Sequence, residues 1–276
     1  MRTLLTILLA YSLAFGQRAL TTSEDLGGAK SIMANIKLGA VNLSLKGVKD
    51  PSMAFRLHYA YGDEQKAPRL TYEVREDKGL FDLSNGKQGK KFQMLGFDTD
   101  KDSVALELAN SVPVSLDIGF GVCDASIDLG GMEISDANFS TGVCSFVLNF
   151  SSPNKIECDH LNVKTGISSV TVENLSNAHA KYIECNGGLG SMKIDFGGKL
   201  VTDCDVKVKT GLGSVDISIP SDINTTIMTP ESFLTSVDVA GFYSQGGGVY
   251  RSDTKKGPKL RIFVESAMGG VKIKNY

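Results

Sequence analysis

The chain carries five cysteines, at Cys123, Cys144, Cys158, Cys185 and Cys204. None forms a C-x-x-C pair, and no Cys/His spacing suits zinc. An odd number leaves at least one thiol outside any intramolecular disulfide set. With three histidines and no tryptophan, a histidine-rich metal site or a histidine-driven triad has little material. His160 and His179 share no common phase and read as solvated surface side chains. Carboxylates are more plentiful: Asp117, Asp124, Asp128, Asp136, Asp159, Asp195, Asp203, Asp205 and Asp216. Glycoside hydrolysis needs two of them at a defined separation in a cleft. Asp128, Asp195 and Asp216 instead take the outward phase of alternating segments, as a solvated acidic column does, where weak calcium or glycan contact comes ahead of catalysis. Gly119-Phe120-Gly121 and Gly211-Leu212-Gly213 look like phosphate loops, but no helix follows them to present its N-terminus, so they read as corner turns. The expectation is therefore no catalytic residue, no cofactor and no metal. Asn-x-Ser/Thr occurs at Asn42, Asn138, Asn149, Asn174 and Asn224, acceptors for glycans in a eukaryotic secretory path and otherwise part of a polar strand surface.

The charge balance narrows the partners. Lys and Arg number 29 against 31 Asp and Glu, a net of −2, which excludes a charge-driven nucleic-acid binder and a polybasic membrane patch. At the start, Arg2 precedes an apolar run from Leu4 to Phe15, and Ala14-Phe15-Gly16 offers small residues at a signal-peptidase site before Gln17. The run is shorter than the ~20 residues a membrane-spanning helix needs. Residues 1–16 are thus expected to be a signal peptide and 17–30 a flexible N-terminus. No transmembrane segment is read in the mature chain. The mature protein would be exported, to the periplasm, the outer membrane or the medium, where disulfides can persist.

The elements that would position these residues come from a repeat. An apolar-small-any-apolar pattern recurs at Val122-Cys123-Asp124-Ala125, Val143-Cys144-Ser145-Phe146, Ile167-Ser168-Ser169-Val170, Leu189-Gly190-Ser191-Met192, Leu212-Gly213-Ser214-Val215 and Leu234-Thr235-Ser236-Val237. The spacings are 21, 24, 22, 23 and 22 residues. Leu38-Gly39-Ala40-Val41 and Met268-Gly269-Gly270-Val271 repeat it at the two ends. A short alternating run and a glycine turn precede each copy, with corner glycines at Gly121, Gly142, Gly166, Gly188 and Gly211. Period-two alternation bounded by glycine indicates short half-buried strands, and a sustained period near 22 indicates a solenoid. The expected fold is all-β: a right-handed parallel β-solenoid with ~22-residue coils. Solenoid repeats should fill 111–276, with an insertion near 243–258. Residues 31–110 break the period, and read as a β-rich N-terminal capping region of antiparallel strands. Both apolar columns, Val122-Val143-Ile167-Leu189-Leu212 and Ala125-Phe146-Val170-Met192-Val215, are expected in the core.

This alignment places Cys123 and Cys144 at one position in neighbouring coils. Adjacent strands lie about 4.8 Å apart, inside the ~4.4–6.8 Å Cα range of a disulfide. The pair is either a disulfide or two stacked thiols.

Val104 to Ser126, with Leu106-Glu107-Leu108, Val112-Pro113-Val114-Ser115-Leu116 and Ile118-Gly119-Phe120-Gly121, resembles the toast rack segment of bacterial envelope proteins named as adhesins. That segment is related to the C-terminal region of cell-wall-active antibiotic response proteins. The resemblance spans about 31–276 and extends to Thr210-Gly211-Leu212-Gly213-Ser214-Val215 and Met268-Gly269-Gly270-Val271. It implies a non-enzymatic envelope protein for adhesion or scaffolding, with an envelope protein or glycan as partner. Two alternatives stand beside it: an envelope-stress regulatory module and a carbohydrate-active β-helix enzyme. The response-regulating relatives carry membrane helices, which argues against direct control of a membrane kinase. The cysteines in the small-residue column depart from the family pattern.

Overall fold

The computed structural model describes residues 18–62, 67–85, 102–230 and 234–276. The expected signal peptide lies outside them. The described chain forms sixteen strands: β1 Arg18–Asp25, β2 Ser31–Gly47, β3 Met53–Tyr61, β4 Pro68–Arg75, β5 Lys78–Asn85, β6 Asp102–Leu108, β7 Val114–Asp128, β8 Ile134–Asn149, β9 Cys158–Glu173, β10 Ala180–Asp195, β11 Cys204–Ile219, β12 Asn224–Met228, β13 Thr235–Ala240, β14 Tyr243–Gly246, β15 Val249–Arg251 and β16 Lys259–Asn275. All belong to one sheet, and among the described residues the one helical element is a 3₁₀ turn, Leu175–Ala178.

The long strands are bent in the middle. In β7 the inward residues are Val114, Leu116, Ile118 and Phe120, and after the bend Cys123, Ala125 and Ile127. The two arms of one strand therefore line opposite sides of one core, and Phe139 and Phe146 of β8 meet across it with ring centroids 5.3 Å apart. Strands β2, β7, β8, β9, β10, β11 and β16 stack in parallel, each pairing with the next along both arms. Partner residues along β7 to β11 are 20 to 24 positions apart, as in Val122↔Val143↔Ile167↔Leu189↔Leu212. Return segments join the levels. The buried side chain of Asn154 closes one of them, receiving the Ile134 amide and donating to the Ile134 and Ile156 carbonyls.

Stack order departs from chain order at both ends. At one end β5 pairs with the first arm of β2 and β6 with the second, so the later strands lie outside the earlier one. At the other, β16 lies between β11 and the pair β12 and β13, although those precede it in the chain. The copy at Leu234 is thus the outermost level. Antiparallel strands close each end: β4 on β5, β3 on β6 and β1 on β3 at the first, β15 on β12 and β14 on β15 at the second. The stretch expected to be a flexible N-terminus holds β1, paired over its whole length with β3. The 31–110 region is likewise mixed, because β2 is a full member of the parallel stack. Residues 243–258 contain the β14–β15 hairpin.

Spacing between levels is set at the bend. A Cβ on Gly142 would lie 2.5 Å from the carbonyl oxygen of Gly121, one on Gly166 2.6 Å from that of Gly142, one on Gly188 2.5 Å from that of Gly166, and one on Gly211 2.6 Å from that of Gly188. Gly121 repeats the contact against Gly39 at 2.9 Å. Their role is close approach of backbone to backbone. Gly166→Ala is expected to destabilise the fold by about 2–3 kcal/mol, as overpacking does. Gly119→Ala, whose Cβ would meet nothing nearer than Lys37 Cγ at 3.8 Å, should stay within about 0.5 kcal/mol of the parent. Urea denaturation of the two variants checks both.

Candidate functional site

The bend breaks the alternation of sides. Two consecutive residues, the corner glycine and the one after it, both face outward, and the inward phase resumes one residue later. A regular strand puts residues three apart on opposite faces, so Val122 and Ala125 cannot both be inward without a slip, and the bend does not supply it in that sense. The second column is in the core as expected: Ala125, Phe146, Val170, Met192 and Val215 are all buried. The first is not. Val122 is 38% exposed, Val143 45%, Ile167 55%, Leu189 43% and Leu212 46%. Asp at Leu189 would therefore meet solvent and cost little, contrary to the large penalty that core placement implies. Met268 and Leu234 extend the row on the last two levels. Seven apolar side chains thus form one ridge, about 29 Å long at the spacing of neighbouring strands. A ladder of hydroxyls, Ser145, Ser169, Ser191 and Ser214, runs beside it on the second arm. At the first level the partner of Val122 is Ala40, because Leu38 pairs with Phe120 and is buried. The copy at the N-terminal end is therefore displaced by two residues from the alignment read off the sequence.

Inside the bend, Cys123 pairs with Cys144, Cα 4.6 Å apart, and the structure bonds their sulfurs. Both are buried. Further along the same column, Gly190, Gly213 and Gly269 adopt positive φ of 130°, 146° and 132°, and a Cβ there would overlap the carbonyl of the preceding level. Cys158, Cys185 and Cys204 are buried thiols, and burial pushes each up to about 12.

The remaining candidates scatter. Asp128 caps a return turn, accepting from Gly130 N and Ser151 Oγ. Asp195 accepts from Gly197 N and the Tyr276 hydroxyl. Asp216 pairs in register with Lys193 and Lys272 across the levels, and Asp117 lies 3.7 Å from Lys37. Asp159 binds Lys181, which holds its carboxyl below the usual range. Asp203 and Asp205 both grip Arg261. His160 lies on the surface, 3.6 Å from Asp136 and stacked on Tyr182. His179 is not a solvated side chain: it ends the 3₁₀ turn at φ 52°, and its Nε2 is buried. Among the described residues no three His, Cys, Asp or Glu side chains converge as a metal requires, and no helix is long and apolar enough to cross a membrane.

The family described as the N-terminal domain of toast_rack, DUF2154, matches residues 16–173, more than half of the chain. The chain belongs to the toast_rack family. Among solved structures, a "putative cell adhesion protein" from Clostridium sporogenes is similar at 16% identity, covering 94% of this chain and 100% of that one with a TM-score of 0.52. That likeness concerns the fold. A "putative adhesin" from Bacteroides fragilis is similar at 13% identity, with 94% and 97% coverage and a TM-score of 0.39. No curated protein matches the chain.

The bonded cysteines are expected to leave the purified protein lighter than its reduced form by two hydrogens. Opening this loop of about 20 residues should cost about 3 kcal/mol on the chain-entropy account. Alkylation at neutral pH should label no cysteine in the native protein, three after denaturation and five after denaturation with reduction. Mass spectrometry reads all three states.

Proposed function

We propose that the protein is an exported, non-enzymatic interaction protein that displays its corner ridge to an envelope protein. On this reading the stack is a right-handed parallel β-solenoid with coils of about 22 residues, and the disulfide forms on export. The observation that carries it is the row of seven exposed apolar residues at one edge. A contiguous apolar row of this length along an exposed edge is the mark of an interface. The cell adhesion name borne by the similar Clostridium sporogenes structure points the same way. A place in the periplasm, at the outer membrane or outside the cell follows from the same reading.

Catalysis fits less well. A general acid must hold its proton near neutral pH. Asp203 and Asp205 are instead clamped by the Arg261 guanidinium, and Glu265 lies 2.7 Å from Lys209 Nζ, which holds its carboxyl below the ordinary range. Asp203 and Glu265, tied this way, remain charged acceptors.

Replacing Ile167 and Leu212 together with Asn should leave thermal unfolding near the parent value, because both side chains already meet solvent. Retention of the mature chain on envelope fragments should fall several-fold. Unchanged retention would remove the ridge from the function. Turnover of any polysaccharide that is lost on changing a carboxylate pair would overturn the non-enzymatic reading.

A further inference from the structure

The outer face of the first arm holds a second feature, far from the ridge. Tyr182 precedes Leu189 by seven residues on β10, about 23 Å along an extended strand. Here β9, β10, β11, β16 and β12 lie side by side and enclose an open cleft of about 720 Å³. Its first row runs His160, Tyr182, Asp205, Arg261 across the levels. Its second row runs Asn162, Glu184, Lys207, Phe263. Tyr182 is 53% exposed, and its ring is backed by that of His160 at 5.5 Å with a tilt of 19°. Phe263 faces out two levels away and two residues along the strand, about 12 Å from Tyr182 at the strand spacing and rise.

Two features define what would fit. The first is a pair of apolar ring faces set along the stack with planar or charged polar groups between them. A pyranose ring needs that combination, because one side of it is C–H and its rim is hydroxyl. Glu184, on the level of Tyr182, and its row neighbour Lys207, on the level between Tyr182 and Phe263, supply an acceptor and a donor for those hydroxyls. The second feature is charge. Lys207, Lys209 and Arg261 in the lining are matched by Glu184, Asp205 and Glu265. Arg261 donates to Asp205 through two nitrogens and to Asp203 through a third, and Lys209 is 2.7 Å from Glu265. Arg261 and Lys209 are already answered and the lining carries as many carboxylates as lysine and arginine side chains, so the cleft gives an anion no net attraction.

We propose that this cleft binds an uncharged saccharide chain, with sugar rings stacked on Tyr182 and Phe263. The proposal rests on the exported, non-enzymatic reading and assigns it a second ligand on a separate surface. Soluble tetrasaccharides of glucose and of N-acetylglucosamine are the probes, with a tetra-uronate of matched length as the anionic control, followed by calorimetry. At least one neutral tetramer should bind, and Tyr182→Ala should weaken it about tenfold or more while Tyr182→Phe retains most of the affinity. Saturation transfer from the protein's aromatic protons should mark the C–H side of the bound sugar, a readout that needs no variant. Phe263→Ala should weaken binding similarly. If that half-buried change unfolds the chain, Lys207→Ala, on the open row beside it, takes its place with a smaller expected loss. The Ile167→Asn, Leu212→Asn chain should bind sugar as the parent does, which separates failure of the ridge from failure of the cleft. Absence of binding by both neutral tetramers, tighter binding of the uronate, or indifference to Tyr182→Ala would overturn the proposal.

Discussion

The bends of β7 to β11 each rest on a glycine pressed against the carbonyl oxygen of the glycine one level below. Gly39, Gly121, Gly142, Gly166, Gly188 and Gly211 form this line, and a methyl group at any of the last five would force adjoining levels apart. Both arms of each strand depend on it. If the bends were held wider, the parallel ladders on the two sides could not keep their hydrogen bonds in step, and the inward columns would lose the contacts that fill the core. The disulfide between Cys123 and Cys144 fastens two of these bends covalently beside the glycine line.

The same constraint produces the exposed ridge. A bend this tight uses two outward positions in succession, so the side chain after the glycine has nowhere to go but solvent. Apolar residues at that position are therefore displayed at every level, at the spacing of the strands. The flat outer faces of the arms carry mostly polar and charged side chains, with Met33, Met228, Val237 and the aromatic pair on the first arm as exceptions. The fold thus separates two kinds of surface: an apolar edge, and a charge-balanced face with rings exposed.

The ends show how such a stack avoids open edges. Parallel levels would otherwise end in unpaired backbone, which invites further strands. Here an early strand is overlaid by later ones at one end and a late strand is inserted beneath earlier ones at the other, and antiparallel strands then close both. The final level is short and broken into β12 and β13, which leaves little regular ladder to extend.

Period, bend position and neighbouring register were legible in the residues themselves, because alternation and glycine placement are local properties and the repeat aligns equivalent positions. The adjacency of Cys123 and Cys144 follows from that alignment, as does the burial of Phe146 and Met192. Three things were decided only in the folded molecule. Whether Val122 and Leu189 face in or out depends on the phase slip at the bend, which the backbone of the next level imposes. The order of levels at the ends was not local either, since a parallel strand forms the same hydrogen bonds with any neighbour of matching length, and the chain connection alone does not select one. The first-arm cleft joins His160 to Phe263 across four levels, and no motif marks it because its members come from separate coils. Strand pairing distant in sequence makes that surface, so only the tertiary structure could reveal it.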